Sequence, residues 1–405
     1  MNTREKSGHL TAIVAVLGLV FSGCVAGALE PVPSLTQPVP TTTPTPCATP
    51  EATSTSPGWT SHSIGRVSSV VVTADGTAWF GSSDASDCTS RYGRCSGGLW
   101  RFDGQSWQHL FEDRGVTALA VHPDGSLWVG LGGPSGIMRF DGQEWEDTSF
   151  EFRTCTGIPV DFASALDGTT WVALVTDLCS YDGQSWRDDE GNAFSLGLAS
   201  DGALWSIGWP PDVRRFDGTG WATYAAPDGY TLGFRADLAV TPGGLACVVT
   251  DSRLDCIDSS TDPARASKSW VSSGVVDGHD LGGVNGMAIA PDGTLWVAAD
   301  RGVARFDETA SPDQSWASYT TADGLLSKSV QGIAAAPDGT VWACLENGVA
   351  RFEEDGDAKG VWISYATESD LTCDSKTIAF APDGSIWFGT ARFQPAEGDD
   401  TLSAE

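Results

Sequence analysis

The chain predicts an all-β fold, an eight-bladed β-propeller, on three observations. The first is a repeat. A short apolar run, then Asp-Gly, then Trp four residues after the Asp, recurs at Asp75/Trp79, Asp124/Trp128, Asp167/Trp171, Asp201/Trp205, Asp292/Trp296, Asp338/Trp342 and Asp383/Trp387. A degenerate copy stands at Gly243/Cys247, and the steps between copies are 49, 43, 34, 42, 49, 46 and 45 residues. A unit of that period buries its apolar face only by stacking on its neighbours. The second observation is the pattern inside a unit. Residues 116–149 read as strand, Asp-Gly turn, strand, loop, strand, Asp-Gly turn, strand, because Asp-Gly between apolar runs supplies the positive φ of a tight hairpin. Four antiparallel strands over about 42 residues make one propeller blade. The third is a phase mismatch at the ends. The last copy stops after Ala391-Arg392-Phe393 without a fourth strand, and an orphan fourth strand, Trp59-Thr60-Ser61-His62, precedes the first copy. The N-terminal strand is therefore expected to complete the last blade and close the ring, which removes an exposed sheet edge. Seven blades is the alternative if one repeat is irregular.

Taken in order, residues 1–23 read as a signal peptide. Arg4 and Lys6 precede the apolar stretch LTAIVAVLGLVF, which ends in Ser22-Gly23-Cys24. That ending resembles the bacterial lipobox, which implies a lipid on Cys24. The alternative is an uncleaved anchor over residues 10–28. Residues 24–57, rich in Pro, Thr and Ser, bury no core and read as an extended spacer. The propeller is expected over 58–394, with an acidic tail at 395–405.

Composition narrows the function classes. The formal net charge of −30 over 405 residues excludes nucleic acid, whose phosphates require a basic surface. Ten cysteines without any C-x-x-C disfavour zinc and thioredoxin-type chemistry, and export favours disulfides. Cys247 stands where other blades place Trp, and Cys256 stands where the seventh blade places Arg351. In an antiparallel hairpin centred between Asp251 and Ser252 the two are directly opposed, so a Cys247–Cys256 bridge is predicted. By the same register Trp342/Arg351 and Trp296/Arg305 are predicted cross-strand neighbours with cation–π contacts. Cys88–Cys95, Cys155–Cys179 and Cys344–Cys373 are the remaining expected bridges, with Cys47 unpaired.

The phrases Arg305-Phe306-Asp307 and Trp316-Ala317-Ser318-Tyr319, the latter followed by Asp323-Gly324-Leu325, resemble the two-component regulator propeller repeat family. The resemblance covers about residues 58–394. It implies an extracytoplasmic sensor domain of the kind that recognises polysaccharide fragments, here in a lipoprotein form with one ring and no kinase read in the chain.

Both Asp-Gly turns of a blade fall on one face of the ring, and the long, dissimilar loops fall on the other. Binding residues concentrate on variable loops carried by a rigid scaffold, so the loop face is the expected ligand face. Its candidate residues are Arg91, Tyr92 and Arg94 in the first blade, and Trp209 beside Pro210 and Pro211 in the fourth. Arg66, Arg114, Arg235, Asn285, Lys328 and Lys376 lead into the inner strands, and Asp161 and Asp237 stand six residues before their turns. The turn aspartates read as turn chemistry rather than calcium ligands, and the repeated Trp residues as inter-blade packing rather than sugar platforms. The small residue four before each Asp reads as convergence of strands at the axis. No H-E-x-x-H, G-x-S-x-G or G-x-G-x-x-G motif is present. His279, flanked by Asp277 and Asp280, is the candidate for metal-assisted lyase or lactonase chemistry. The reading is a membrane-tethered monomer that binds carbohydrate or an envelope protein, without cofactor or metal. A propeller lyase or lactonase, or a structural scaffold, is the alternative.

Overall fold

A computed structural model describes residues 52–53, 58–83, 97–132, 136–148, 155–189, 191–209, 212–225, 237–250, 253–261, 271–273, 275–276, 279–310, 315–354, 359–367, 371 and 375–395. These form an eight-bladed β-propeller. Blade one pairs Val67–Val72, Ala78–Ser83, Gly97–Phe102 and Trp107–Leu110 in sequence order. Six further blades repeat that meander, starting at Val116, Pro159, Ser195, Asp237, Val284 and Val330. The eighth is assembled from both ends of the ring. Ile378–Phe380, Ile386–Phe388 and Ala391–Phe393 are joined by Trp59–His62, with Trp59 opposite Phe393 and Ser61 opposite Ala391. Ala52–Thr53 adds a fifth strand outside His62 and Ser61, so pairing reaches upstream of the boundary expected at 58.

The first strands of successive blades neighbour one another around the ring. The core is not one mass but eight clusters, each lying between two adjacent blades. The repeated Trp explains this. It points from the second strand of one blade to an aromatic pair on the next. Trp79 meets Phe140 and Trp145, Trp128 meets Tyr181 and Trp186, and Trp171 meets Phe216 and Trp221. Trp296 meets Phe352 and Trp362, and Trp387 meets Phe102 and Trp107. At the seam, Trp342 meets Phe393, which packs on Trp59 with ring centroids 4.8 Å apart. Each aromatic pair contributes about 0.5–1.5 kcal/mol beyond its burial.

The small residue four before the Asp lies directly across from the Trp: Ala120 opposite Trp128, Ala163 opposite Trp171, Gly197 opposite Trp205, Ala334 opposite Trp342. Blade five follows the same register with Ala239 opposite Cys247. There Cys247 opposes Cys256 and the two form a disulfide, packed in one cluster with Phe306 and Trp316. A Cys155–Cys179 disulfide lies within the core between blades two and three. Cys344 is disulfide-bonded, while Cys373, Cys88, Cys95, Cys47 and Cys24 lie outside the described residues.

Candidate functional site

The turn face is consumed by its own chemistry. In blade two, the Asp124 carboxylate accepts from the Ser126 backbone N–H (2.8 Å) and hydroxyl (2.6 Å), and from Arg139 on the third strand (2.9 Å). Arg215 binds Asp201 and Arg392 binds Asp383 in the same way. Arg392 also lies over the indole of the facing Trp387 at 5.9 Å, and two other third-strand arginines do the same, Arg101 on Trp79 at 5.5 Å and Arg305 on Trp296 at 5.6 Å. Trp342 and Arg351 are register partners as well. The second turn is similar. The Thr219 hydroxyl and the backbone N–H groups of Thr219 and Gly220 hold the Asp217 carboxyl down at about 2. The Gly after each Asp has positive φ, for example 85° at Gly125 and 90° at Gly218. This face has its carboxylates satisfied from within.

The opposite face gathers the connections between blades with the loops between second and third strands. Backbone hydrogen bonds join them: Gly132 to Gly115, Val175 to Ile158, Asp300 to Gly283 and Gly389 to Thr377. On this face the starts of three adjacent inner strands bring Asp161, Ser195 and Asp237 together. The Asp161 carboxylate accepts from Phe162 N–H and Leu196 N–H, both at 3.0 Å. The Ser195 hydroxyl lies 3.1 Å from Asp161 Oδ2 and 3.3 Å from Asp237 Oδ1. Burial pushes the Asp237 carboxyl above the usual carboxylate range. The Lys376 ammonium opposes that shift, and the Asp161 carboxylate adds to it. Ser195 has one hydroxyl proton for two carboxylates, so the arrangement is satisfied when Asp237 keeps its own proton. Lys376 reaches this group from blade eight, on a 3₁₀ turn at Ser375–Thr377 that packs on the inner strands of blades one, six and seven. In that turn Ser375 Oγ accepts the Ile333 N–H at 3.2 Å.

Trp209 stands out on the same face at 62% exposure. Its backbone is clamped on both sides by Asn192: Trp209 N–H donates to Oδ1 at 2.6 Å, and Nδ2 donates to Trp209 C=O at 3.0 Å. A large exposed ring on a fixed loop is a preformed contact surface.

The other expected residues fall elsewhere. Asn285 joins blades six and seven, donating to Val330 C=O at 2.9 Å and to Asp300 Oδ1 at 3.1 Å. Ser68 makes the equivalent link to Val116 C=O between blades one and two, so this position is an inter-blade clamp. The Arg114 guanidinium lies against Gly136, where a β-carbon would stand. Arg66 and Lys328 are exposed. Arg91, Tyr92, Arg94 and Arg235 lie outside the described residues. His279 pairs with Val276 in a short separate hairpin. His122 lies in the turn beside Asp124. Among the described residues no group of three or more His, Cys, Asp and Glu converges on a metal position. Sequence reasoning passed over Ser195 and Asn192. Ser195 was within reach, since it holds the same place before Asp201 that Asp161 holds before Asp167.

No protein-family profile matches the chain, and no curated protein matches it in sequence. Solved structures match in fold. The extracellular domain of BT3049 from B. thetaiotaomicron, described as a hybrid two-component system, aligns at TM-score 0.54 and 14% identity, over 85% of this chain and 42% of that one. A virginiamycin B lyase from Staphylococcus aureus aligns at TM-score 0.50 and 12% identity, over 69% and 95%. YCF48 bound to a D1 peptide aligns at TM-score 0.49 and 14% identity, over 88% and 100%. At these identities the likeness is one of fold.

Proposed function

We propose that this protein is an exported, membrane-tethered recognition propeller of the two-component regulator type, and that it binds a basic segment of an envelope protein on its loop face. The observation that carries the reading is Trp209, exposed on the face whose loops vary and clamped by Asn192. The part-buried Asp161 carboxylate is on the same face. A net charge of −30 favours a basic partner through long-range attraction. The buried disulfides agree with an oxidising compartment. The tether is an acylated Cys24, read as the N-terminal residue by mass spectrometry of membrane-extracted protein; an intact Met1 rejects it.

Carbohydrate is the second reading, because an exposed indole on the same face as a hydroxyl-accepting carboxylate also suits a sugar ring. Arrays of envelope-protein peptides and of glycans, probed with the full chain, separate the two. Basic peptides should bind, and binding should weaken with salt. Trp209→Ala should weaken it by about 1–3 kcal/mol. Asp161→Asn should weaken peptide binding far more than glycan binding, because the amide keeps an oxygen that accepts a hydroxyl but loses the charge. Binding that survives both changes places the site elsewhere.

A further inference from the structure

The strand that closes the ring has two unlike faces. Trp59 packs into the cluster shared with blade seven. His62, three residues on, packs towards blade one. Its imidazole lies 4.9 Å from Trp107, 5.7 Å from Phe102 and 5.6 Å from Trp387, centroid to centroid. It is 8% exposed, and its Nδ1 is buried without a hydrogen-bond partner. The rings that blade one presents to His62 are Phe102 and Trp107. Blade eight offers Trp387 and a cation, Arg392, whose residue pairs with Thr60 on the same strand and whose guanidinium is bound to Asp383. None of the described ion pairs includes His62.

We propose that the closing strand Trp59–His62 is an acid-operated latch, released when the His62 imidazole takes a proton. An imidazolium here has no carboxylate to pair with, loses its water and faces Arg392. Burial first and the Arg392 cation second hold the His62 pKa at about 4 against the ordinary 6.5. The sign follows from linkage. A released strand binds the proton below pH 6.5 and the seated strand does not until about pH 4. Seating is therefore fully favoured above pH 6.5. The ratio of released to seated strand rises by up to tenfold per pH unit down to about 4, and is constant below it. The seam is the one place where a blade is held without a chain connection between its third and fourth strands, so this strand can leave while the other seven blades remain intact. The proposal does not depend on the ligand reading.

Hydrogen exchange on the full chain, corrected for intrinsic rates, tests it. Between pH 6.5 and 4.5, protection at residues 59–62 and 391–393 should fall by up to tenfold per unit while the strands of blade three keep theirs. His62→Phe, which keeps an aromatic ring in the cluster, should abolish that dependence. The idea is overturned if closing-strand protection in the wild type is unchanged over this range. Loss of protection in step across all blades also overturns it, as does an undiminished pH response in the variant. Should His62→Phe fail to fold, the wild-type comparison between strands decides alone.

Discussion

At the scale of single residues, the molecule is governed by how its turn carboxylates are satisfied, and blade five shows this by exception. Gly243 replaces the Asp of the first turn, yet the turn is not left without an acceptor. Glu308 reaches across from blade six, accepting the Gly243 N–H at 2.7 Å and the Thr241 hydroxyl at 2.7 Å. A β-carbon at Gly243 would stand 2.5 Å from the Glu308 carboxylate oxygens, so Glu308 fills the space an Asp side chain would enter. Glu308→Ala should destabilise the ring by about 1–2 kcal/mol, as expected for lost hydrogen bonds to a charged acceptor. Adding Gly243→Asp should restore most of that loss, because Asp then serves the turn from within as in the other seven blades. On its own, Gly243→Asp should destabilise, since two carboxylates would compete for one place. Thermal unfolding of the four proteins reads this cycle, and additive effects would reject the exchange. Nothing in the local sequence reveals it, because the contact spans 65 residues.

At the scale of strands and blades, the sequence was legible wherever the determinant recurs with the repeat. Strand order, the two Asp-Gly turns and the Trp-to-next-blade packing follow from periodicity, and so does the Cys247–Cys256 register. Where one position has a role beyond the repeat, the sequence showed less: Asn285, expected on the ligand face, also clamps blade six to blade seven. The candidate site was half legible: Asp161 and Asp237 were visible by their equivalent places six before their turns, and Lys376 and Trp209 by their loops. Ser195 holds that same place but was passed over as an ordinary residue type. The disulfide of blade five stands in for the Trp–Arg pair of its neighbours and crosslinks adjacent strands within a core cluster. Replacing both cysteines by serine should cost about 2–3 kcal/mol, given the short loop it closes. Reduction of the folded wild type should be slow, because both sulfur-bearing residues are buried. Non-reducing peptide mapping that finds either residue free or paired elsewhere would contradict the register.

At the scale of the whole molecule, one ring is closed by eight interfaces of similar make, and only the eighth blade lacks a covalent turn between its third and fourth strands. Gln394 N–H donates to Gly58 C=O at 2.8 Å, so the two chain segments meet where blades one to four continue through Asp-Gly. A cleft of about 280 Å³ between blades seven and eight opens there, lined by Trp342, Arg351, Ile386 and Pro395 among others. Ring closure thus carries an entropy cost that the other blades avoid, since the closing strand must be found by a distant part of the chain. A circular permutant removes that cost. Phe393 is joined to Trp59 through Asp-Gly-Gln-Ser, the spacing of Phe102 to Trp107, and new ends are opened within residues 84–96 of blade one. The permutant should unfold at a higher temperature than the natural order, in a single sharper transition. The closing strand should no longer be the first to exchange its amide protons, because a covalently held strand opens less at every pH, while the change per pH unit set by His62 stays the same. A permutant less stable than the natural chain would show that the seam is held as firmly by packing of Trp59, Phe393 and Trp342 as any blade is by its turn.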